Sequence, residues 1–269
     1  MSALELQISG GTTKDGQPEP VPDVVVRAGE VLALVGPTGS GKTRLLADIE
    51  RLAIGDSPTG RRVKLTGQPK PRADAPSLVA RISQSMSFFL DATAEELLRI
   101  HAEYRGHANP SARAEEALDW ANRISGEGFS GGTPLAELSG GQARALMVAD
   151  TVIVSACPVV LIDEIENAGI DRTLALRFLL EHQSIAILAT HDPLIALQAQ
   201  RRVVMANGGM THLIQRTPAE LELLDQLRAQ QRDREALQQR LRSGLLLAEW
   251  PGSGSQPPKS TSQDSSSSK

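Results

Sequence analysis

Gly36-Pro37-Thr38-Gly39-Ser40-Gly41-Lys42-Thr43 satisfies the pattern GxxxxGK[ST], and its flanks are those the pattern needs. Val31–Val35 before it is a short continuous apolar run, which reads as a buried strand. Leu45, Leu46, Ile49, Leu52 and Ala53 after it share one face of a helix expected to end near Gly55. Strand, glycine turn, helix is an arrangement with a physical purpose. Glycines let successive backbone N–H groups point at one anion, and the helix dipole adds positive potential at the same point. In such a loop Lys42 reaches the β and γ phosphates of a nucleotide, and the Thr43 hydroxyl is placed to ligate Mg²⁺.

Further apolar runs lie at Val24–Arg27, Leu78–Ser83, Pro158–Ile162, Ile185–Ala189 and Arg202–Met205, separated by helical stretches. Runs that are continuous rather than alternating belong to a sheet covered on both faces, so the expected class is α/β with a mostly parallel sheet. No fixed repeat period is visible, which argues against a solenoid.

The composition narrows the function. The 269 residues carry 28 Lys+Arg against 32 Asp+Glu, a formal charge of −4 without a long single-sign block. Such a balance argues against direct nucleic-acid binding or adhesion to an anionic surface. Thr151–Ile162, an uncharged apolar-rich stretch, is too short for the ~30 Å of a bilayer core. Met1-Ser-Ala-Leu-Glu lacks the basic start and apolar run of a secretory signal, and Cys157 is the only cysteine, so a cytoplasmic setting is expected.

Two downstream strings have chemistry of their own. Pro158-Val-Val-Leu-Ile-Asp163-Glu164 is a buried strand ending in two carboxylates, the form expected of a Mg²⁺-organising Asp followed by a water-polarising Glu. Leu138-Ser139-Gly140-Gly141-Gln142 opens a helix expected from Ala143 onward, a second helix N-terminus suited to an anion.

With these residues in order, residues 1 to 215 resemble the ATP-binding cassette (ABC) ATPases, P-loop NTPases with a helical subdomain. Walker A is Gly36–Thr43, the Q-loop glutamine is matched by Gln84, the signature by Leu138–Gln142, the end of Walker B by Asp163, the catalytic glutamate by Glu164 and the switch histidine by His191. Separations of 42 residues from Lys42 to Gln84, 55 to Ser139 and 24 to Asp163 are ordinary for the family.

The resemblance implies ATP and Mg²⁺ as ligands. It implies that Asp163, with Thr43 and Gln84, serves the metal, that Glu164 polarises the attacking water, and that His191 contacts the γ-phosphate. It further implies that Ser139, Gly140, Gly141, Gln142 and the D-loop aspartate, matched by Asp171, complete the site of a second subunit. A head-to-tail homodimer around two ATP is the expected assembly. About 88–140 corresponds to the helical subdomain, where Thr93-Ala-Glu-Glu96 is a capping box.

The chain also departs from the family pattern. No aromatic residue precedes Phe88, so adenine has no ring upstream of Walker A to stack on, and the base is expected on aliphatic or proline surface or loosely held. Glu164-Ile-Glu-Asn-Ala-Gly-Ile-Asp171 lacks the usual proline and is one residue longer than usual. Asp150 stands where a basic residue is common, Arg144 sits one position early, and Glu164 to His191 is 27 residues, on the short side.

Two functions fit. One is the energising subunit of a membrane transporter, peripheral at the inner face of the membrane beside a separate membrane subunit. The other is a soluble ABC ATPase that activates, assembles or remodels a client protein, such as a metalloenzyme. Thr217-Pro218-Ala219-Glu220 reads as the start of a C-terminal helical extension over 217–248, with Leu221, Leu224, Leu227, Leu237 and Leu241 on it. Pro251–Lys269 holds eight Ser, three Pro and two Gly in 19 positions and is expected to be a disordered tail.

Overall fold

The computed structural model describes residues 3–67, 78–83, 88, 90–163 and 169–244. Gln84, Glu164 and the tail lie outside the described residues.

Six strands form the main sheet in the order β5-β6-β7-β3-β8-β9: β3 is Val31–Val35, β5 Val79–Ile82, β6 Val159–Asp163, β7 Ile185–Ala189, β8 Arg201–Ala206 and β9 Gly209–Gln215. All pairings are parallel except the hairpin β8–β9. A second sheet is antiparallel, ordered β2-β1-β4, from β1 Glu5–Ser9, β2 Asp23–Arg27 and β4 Arg62–Thr66. The expectation that Val24–Arg27 joins the doubly covered sheet is corrected here. Val24 and Val26 alternate inward while Asp23 and Arg27 are exposed, the period of a sheet wet on one face.

Strand β3 shows how the layers divide. Val31 and Ala33 face one core with Ile82, Ile162, Leu188 and the helices Ala94–Tyr104 (α2), Pro110–Ser125 (α3), Gly140–Ala149 (α4) and Arg172–Glu181 (α5). Leu32 and Leu34 face the other core, with Leu45, Leu46 and Ile49 of α1 (Lys42–Glu50) and with Leu6, Ile8, Val24 and Val63 of the antiparallel sheet. Both faces of the parallel sheet are therefore dry. Helix α1 stops at Glu50 rather than near Gly55, and Leu52 beyond it has a φ of 48°.

Capping follows the sequence closely. Thr93 and Glu96 exchange side-chain and backbone bonds at the start of α2, and Ser139 and Gln142 do the same for α4. Helix α4 thus opens at Gly140, earlier than Ala143, because the capping box winds both glycines into the first turn. It runs into a π-helical turn, Asp150–Val154. The short helix Pro193–Gln198 (α6) is capped by Asp192. Helix α7, Pro218–Arg242, opens with Thr217 N donating to Glu220 at 2.9 Å and Glu220 N to Thr217 Oγ1 at 3.3 Å. Leu224 is the buried member of its leucine set, while Leu221 and Leu241 are exposed.

Candidate functional site

The loop between β3 and α1 is built on glycines that no other residue replaces. Gly36 and Gly41 have φ of 151° and 107°. A Cβ on Gly36 would lie 2.3 Å from the Met205 carbonyl oxygen, and one on Gly41 2.8 Å from the Gly208 Cα. The β8–β9 turn therefore backs the loop directly, and Gly208 N donates to the Ser40 carbonyl at 2.9 Å. Lys42, only 7% exposed, folds its amine over the turn, donating to the carbonyls of Gly36 at 2.7 Å and Pro37 at 3.1 Å. The Ser40 hydroxyl is buried and has no hydrogen-bond partner among the described residues. A curled loop with an ammonium and an unsatisfied hydroxyl is a cradle for an anion.

A cleft of about 660 Å³ opens at this loop and gathers Thr38, Lys42, Thr43, Asp163 and His191. The sheet order explains why. Gly36 and His191 lie just past the C-terminal ends of the parallel strands β3 and β7, and Asp163 is the last residue of β6, so they reach the same edge. On the other side of β3 the cleft is walled by Thr12, Thr13, Lys14, Pro58 and Thr59, with no Phe, Tyr or Trp among the described residues that line it. Lys14 crosses this end, its Nζ on the Gly39 carbonyl at 2.9 Å and its N–H on the Asn207 carbonyl at 2.9 Å.

The loop bearing His191 is held from two directions. Thr190 N donates to the Leu34 carbonyl at 3.2 Å, and Asp192 accepts from Arg172 of α5 at 2.6 Å while capping Leu194 N at 2.8 Å. Asp163 accepts from Arg81 of β5 at 2.7 Å, and Arg81 also reaches Glu50, at the end of α1, at 3.3 Å. Burial works against the Arg81 charge, but the hydrogen bonds and charges of Asp163 and Glu50 outweigh it and hold its pKa above the ordinary value.

Ser139, Gly140, Gly141 and Gln142 are not brought into the cleft of their own chain. The Ser139 hydroxyl accepts from Gln142 N at 3.2 Å, and Gln142 also donates to the Glu127 carbonyl at 3.3 Å. Gly169 lies against Gly141, a Cβ on it being 3.4 Å from the Gly141 Cα. Asp171 is likewise outside the cleft: it caps α5, accepting from Leu174 N at 2.9 Å.

Reading the sequence missed Arg81, Arg61 and Lys14. The first carried a signal, a lone cation inside the apolar run Leu78–Ser83; the other two carried none.

The family model described as "ABC transporter" matches residues 22–167, more than half of the chain. The chain belongs to the ABC transporter family. It is 44% identical over 227 residues to an uncharacterized ABC transporter ATP-binding protein of Methanocaldococcus jannaschii, covering 83% of this chain and 87% of that protein. The hemin import ATP-binding protein HmuV of Streptomyces coelicolor is 31% identical over 217 residues, covering 77% of this chain and 73% of that one. Among solved structures, cbiO1 of Clostridium perfringens, described as part of the ABC transporter complex cbiONQ, superposes with a TM-score of 0.60 at 19% identity, covering 90% of this chain and 98% of that one, a likeness of fold. This ABC subunit is accordingly an ATP-binding, ATP-hydrolysing cassette of the kind that energises membrane transporters. Among the described residues no helix is long and apolar enough to cross a membrane.

Proposed function

We propose that two copies of this subunit close head-to-tail around two ATP molecules, at the inner face of the membrane, and transmit closure to a separate membrane subunit. The observation that carries this reading is a division within one chain. Lys42, Thr43, Asp163 and His191 share the cleft, whereas the signature residues Ser139–Gln142 and Asp171 stand outside it. A helix N-terminus with the Ser139 hydroxyl at its tip is suited to an anion held by something other than its own P-loop.

In this reading the loop amides of Gly36–Gly41 and Lys42 bind the phosphate chain. Thr43 and Asp163 supply hard oxygen donors for Mg²⁺, joined by Gln84. The metal, when bound, spreads the charge of the β and γ oxygens. Glu164 orients and polarises the water that attacks the γ-phosphorus. His191 donates to the γ-phosphate from a loop fixed by Arg172 and Leu34. ATP binding glues the halves and loss of the γ-phosphate releases them, so nucleotide state is the switch that a membrane subunit reads.

The Glu164→Gln variant tests the assembly. With Mg²⁺ and ATP it is expected to form a stable dimer by light scattering, and Ser139→Arg added to it is expected to abolish the dimer while ATP still binds. A monomer under all conditions overturns the composite site. Purification from native cells in detergent separates the two client types: a multi-span subunit supports transport, a soluble partner the remodelling alternative.

A further inference from the structure

Behind the base-side wall of the cleft lies a cluster of three charged side chains, all fully buried: Arg61, Glu19 and Asp48. The guanidinium of Arg61 distributes its donors in three directions. Its Nε donates to Glu19 at 3.1 Å and one terminal nitrogen also meets that carboxylate; the other donates to Asp48 at 2.9 Å; and the carbonyl of Gly208 accepts at 2.8 Å. Arg51, largely exposed, also reaches the other oxygen of Asp48 at 3.5 Å, but the one buried guanidinium faces two buried carboxylates. Burying three charges is an expensive way to hold a core together, because the desolvation of each charge offsets most of its attraction. An apolar set of the same volume would serve stability as well. Geometry is what such a cluster adds.

Each partner of Arg61 carries one part of the wall. Glu19 accepts from Gly11 N at 3.1 Å, immediately before Thr12 and Thr13. Asp48, on the P-loop helix α1, accepts from the Thr59 hydroxyl at 2.8 Å. The Thr59 carbonyl accepts from Thr12 N at 2.8 Å, closing the circuit, and Gly208 is the residue that backs Gly41 and Ser40. The loop between β1 and β2, the Pro58–Thr59 segment, α1 and the β8–β9 turn are thus all referred to one planar fork.

We propose that Arg61, with Glu19 and Asp48, is the positioning residue of the nucleoside side of this cleft, holding a pre-formed wall at fixed distance from the P-loop in place of an aromatic grip on the base. The inference rests on the reading of the cleft as the nucleotide site. The metal-facing residues Asp163 and His191 come from strands on one side of β3, and the Arg61-braced wall meets the β8–β9 turn on the other, which leaves that end to ribose and base. With no ring among the described residues lining the cleft, affinity for the nucleoside depends on a surface ordered before the ligand arrives.

The discriminating probe is inorganic tripolyphosphate, which uses the phosphate cradle and has no nucleoside. Calorimetry with ATP and with tripolyphosphate is compared for the natural chain, Glu19→Gln and Arg61→Lys. Glu19→Gln keeps the shape but turns an amide donor toward Gly11 N–H, and Arg61→Lys keeps the charge but cannot fork. Both variants are expected to weaken ATP by about tenfold, roughly 1.4 kcal/mol, with tripolyphosphate nearly unchanged and the ATP KM rising far more than kcat falls. A lower melting temperature with an unaltered ratio of the two affinities would mean a purely structural cluster and overturns the proposal. Lys42→Ala is the companion control. If it leaves both ligands bound, the nucleotide reading itself has failed, an outcome distinct from failure of the Arg61 role alone.

Discussion

The guanidinium of Arg81 and the carboxylate of Asp163 meet at 2.7 Å across neighbouring strands, so the residue expected to organise the metal already has a cation beside it. Arg81 is also tied to Glu50 at the far end of α1, which makes it a bridge between the P-loop helix and the end of β6.

A metal ion drawn to Asp163 must share or displace that guanidinium. Arg81→Met is therefore expected to lower the Mg²⁺ concentration needed for half-maximal ATP hydrolysis by about fivefold, the equivalent of ~1 kcal/mol for a partly exposed pair. Titration of Mn²⁺ by electron paramagnetic resonance, with ATP present, checks the same shift without relying on turnover. An unchanged metal titration would mean that the pair is irrelevant to binding.

His101 and Asp150 supply a pH dependence. The His101 ring lies 3.0 Å from Asp150, which is buried in the π-helical turn, and that hydrogen bond raises the histidine pKa against the opposing effects of burial and of Arg105. A raised folded-state pKa stabilises the protein fully below the ordinary value near ~6.5, and the benefit is lost as pH rises through the folded value. Urea midpoints should therefore fall between about pH 6 and about pH 8 in the natural chain and fall less in His101→Gln. Equal slopes in the two proteins would contradict the pairing.

How much of this was legible beforehand depends on range. The run Val31–Val35 and the strands ending at Asp163 and Ala189 are buried on both faces, so each reads as continuous apolar sequence and declares a parallel sheet. The antiparallel sheet is quieter. In β1 only Leu6 and Ile8 are buried and in β4 only Val63, which a five-residue window cannot distinguish from loop. The strand, glycine turn and helix at 31–50 are contiguous in sequence and readable from it, apart from the helix end, which falls at Glu50 rather than near Gly55. Arg61 reaches Gly208 across 147 positions, a contact that exists only once the sheets are stacked, and Arg81 reaches Asp163 across 82, a contact made only when β5 pairs with β6.

Phe178 couples the helical layer to the sheet core. It is fully buried in α5, with its ring centroid 4.3 Å from Trp120 of α3 and 4.6 Å from His182. Phe178→Ala removes a ring from a packed site and is expected to destabilise the fold by about 3–5 kcal/mol. In a Trp250→Phe background the emission of Trp120 should shift to the red in the same variant, because its neighbouring ring is gone. A loss under ~1 kcal/mol would show that the site collapses around the vacancy.

The start of α7 should be sensitive to acid. Glu220 accepts from Arg202 of β8 at 2.5 Å and from Thr217 N at 2.9 Å, and the Arg202 bond is the main reason its pKa is pushed down to about 2, with the Thr217 amide adding to it. A depressed folded-state value means that the carboxylate stabilises the fold above its unfolded pKa, near ~4.3, and that this contribution disappears as pH falls from there toward the folded value. Glu220→Gln is already without the charge, so its stability relative to the natural chain should be lowest at neutral pH, and the two should converge as acid protonates Glu220. Circular dichroism followed through urea unfolding between about pH 6 and about pH 3 measures the gap. Because the pair is partly exposed, salt should narrow it at every pH; a gap that widens in acid would mean that Glu220 is held by something other than its charge.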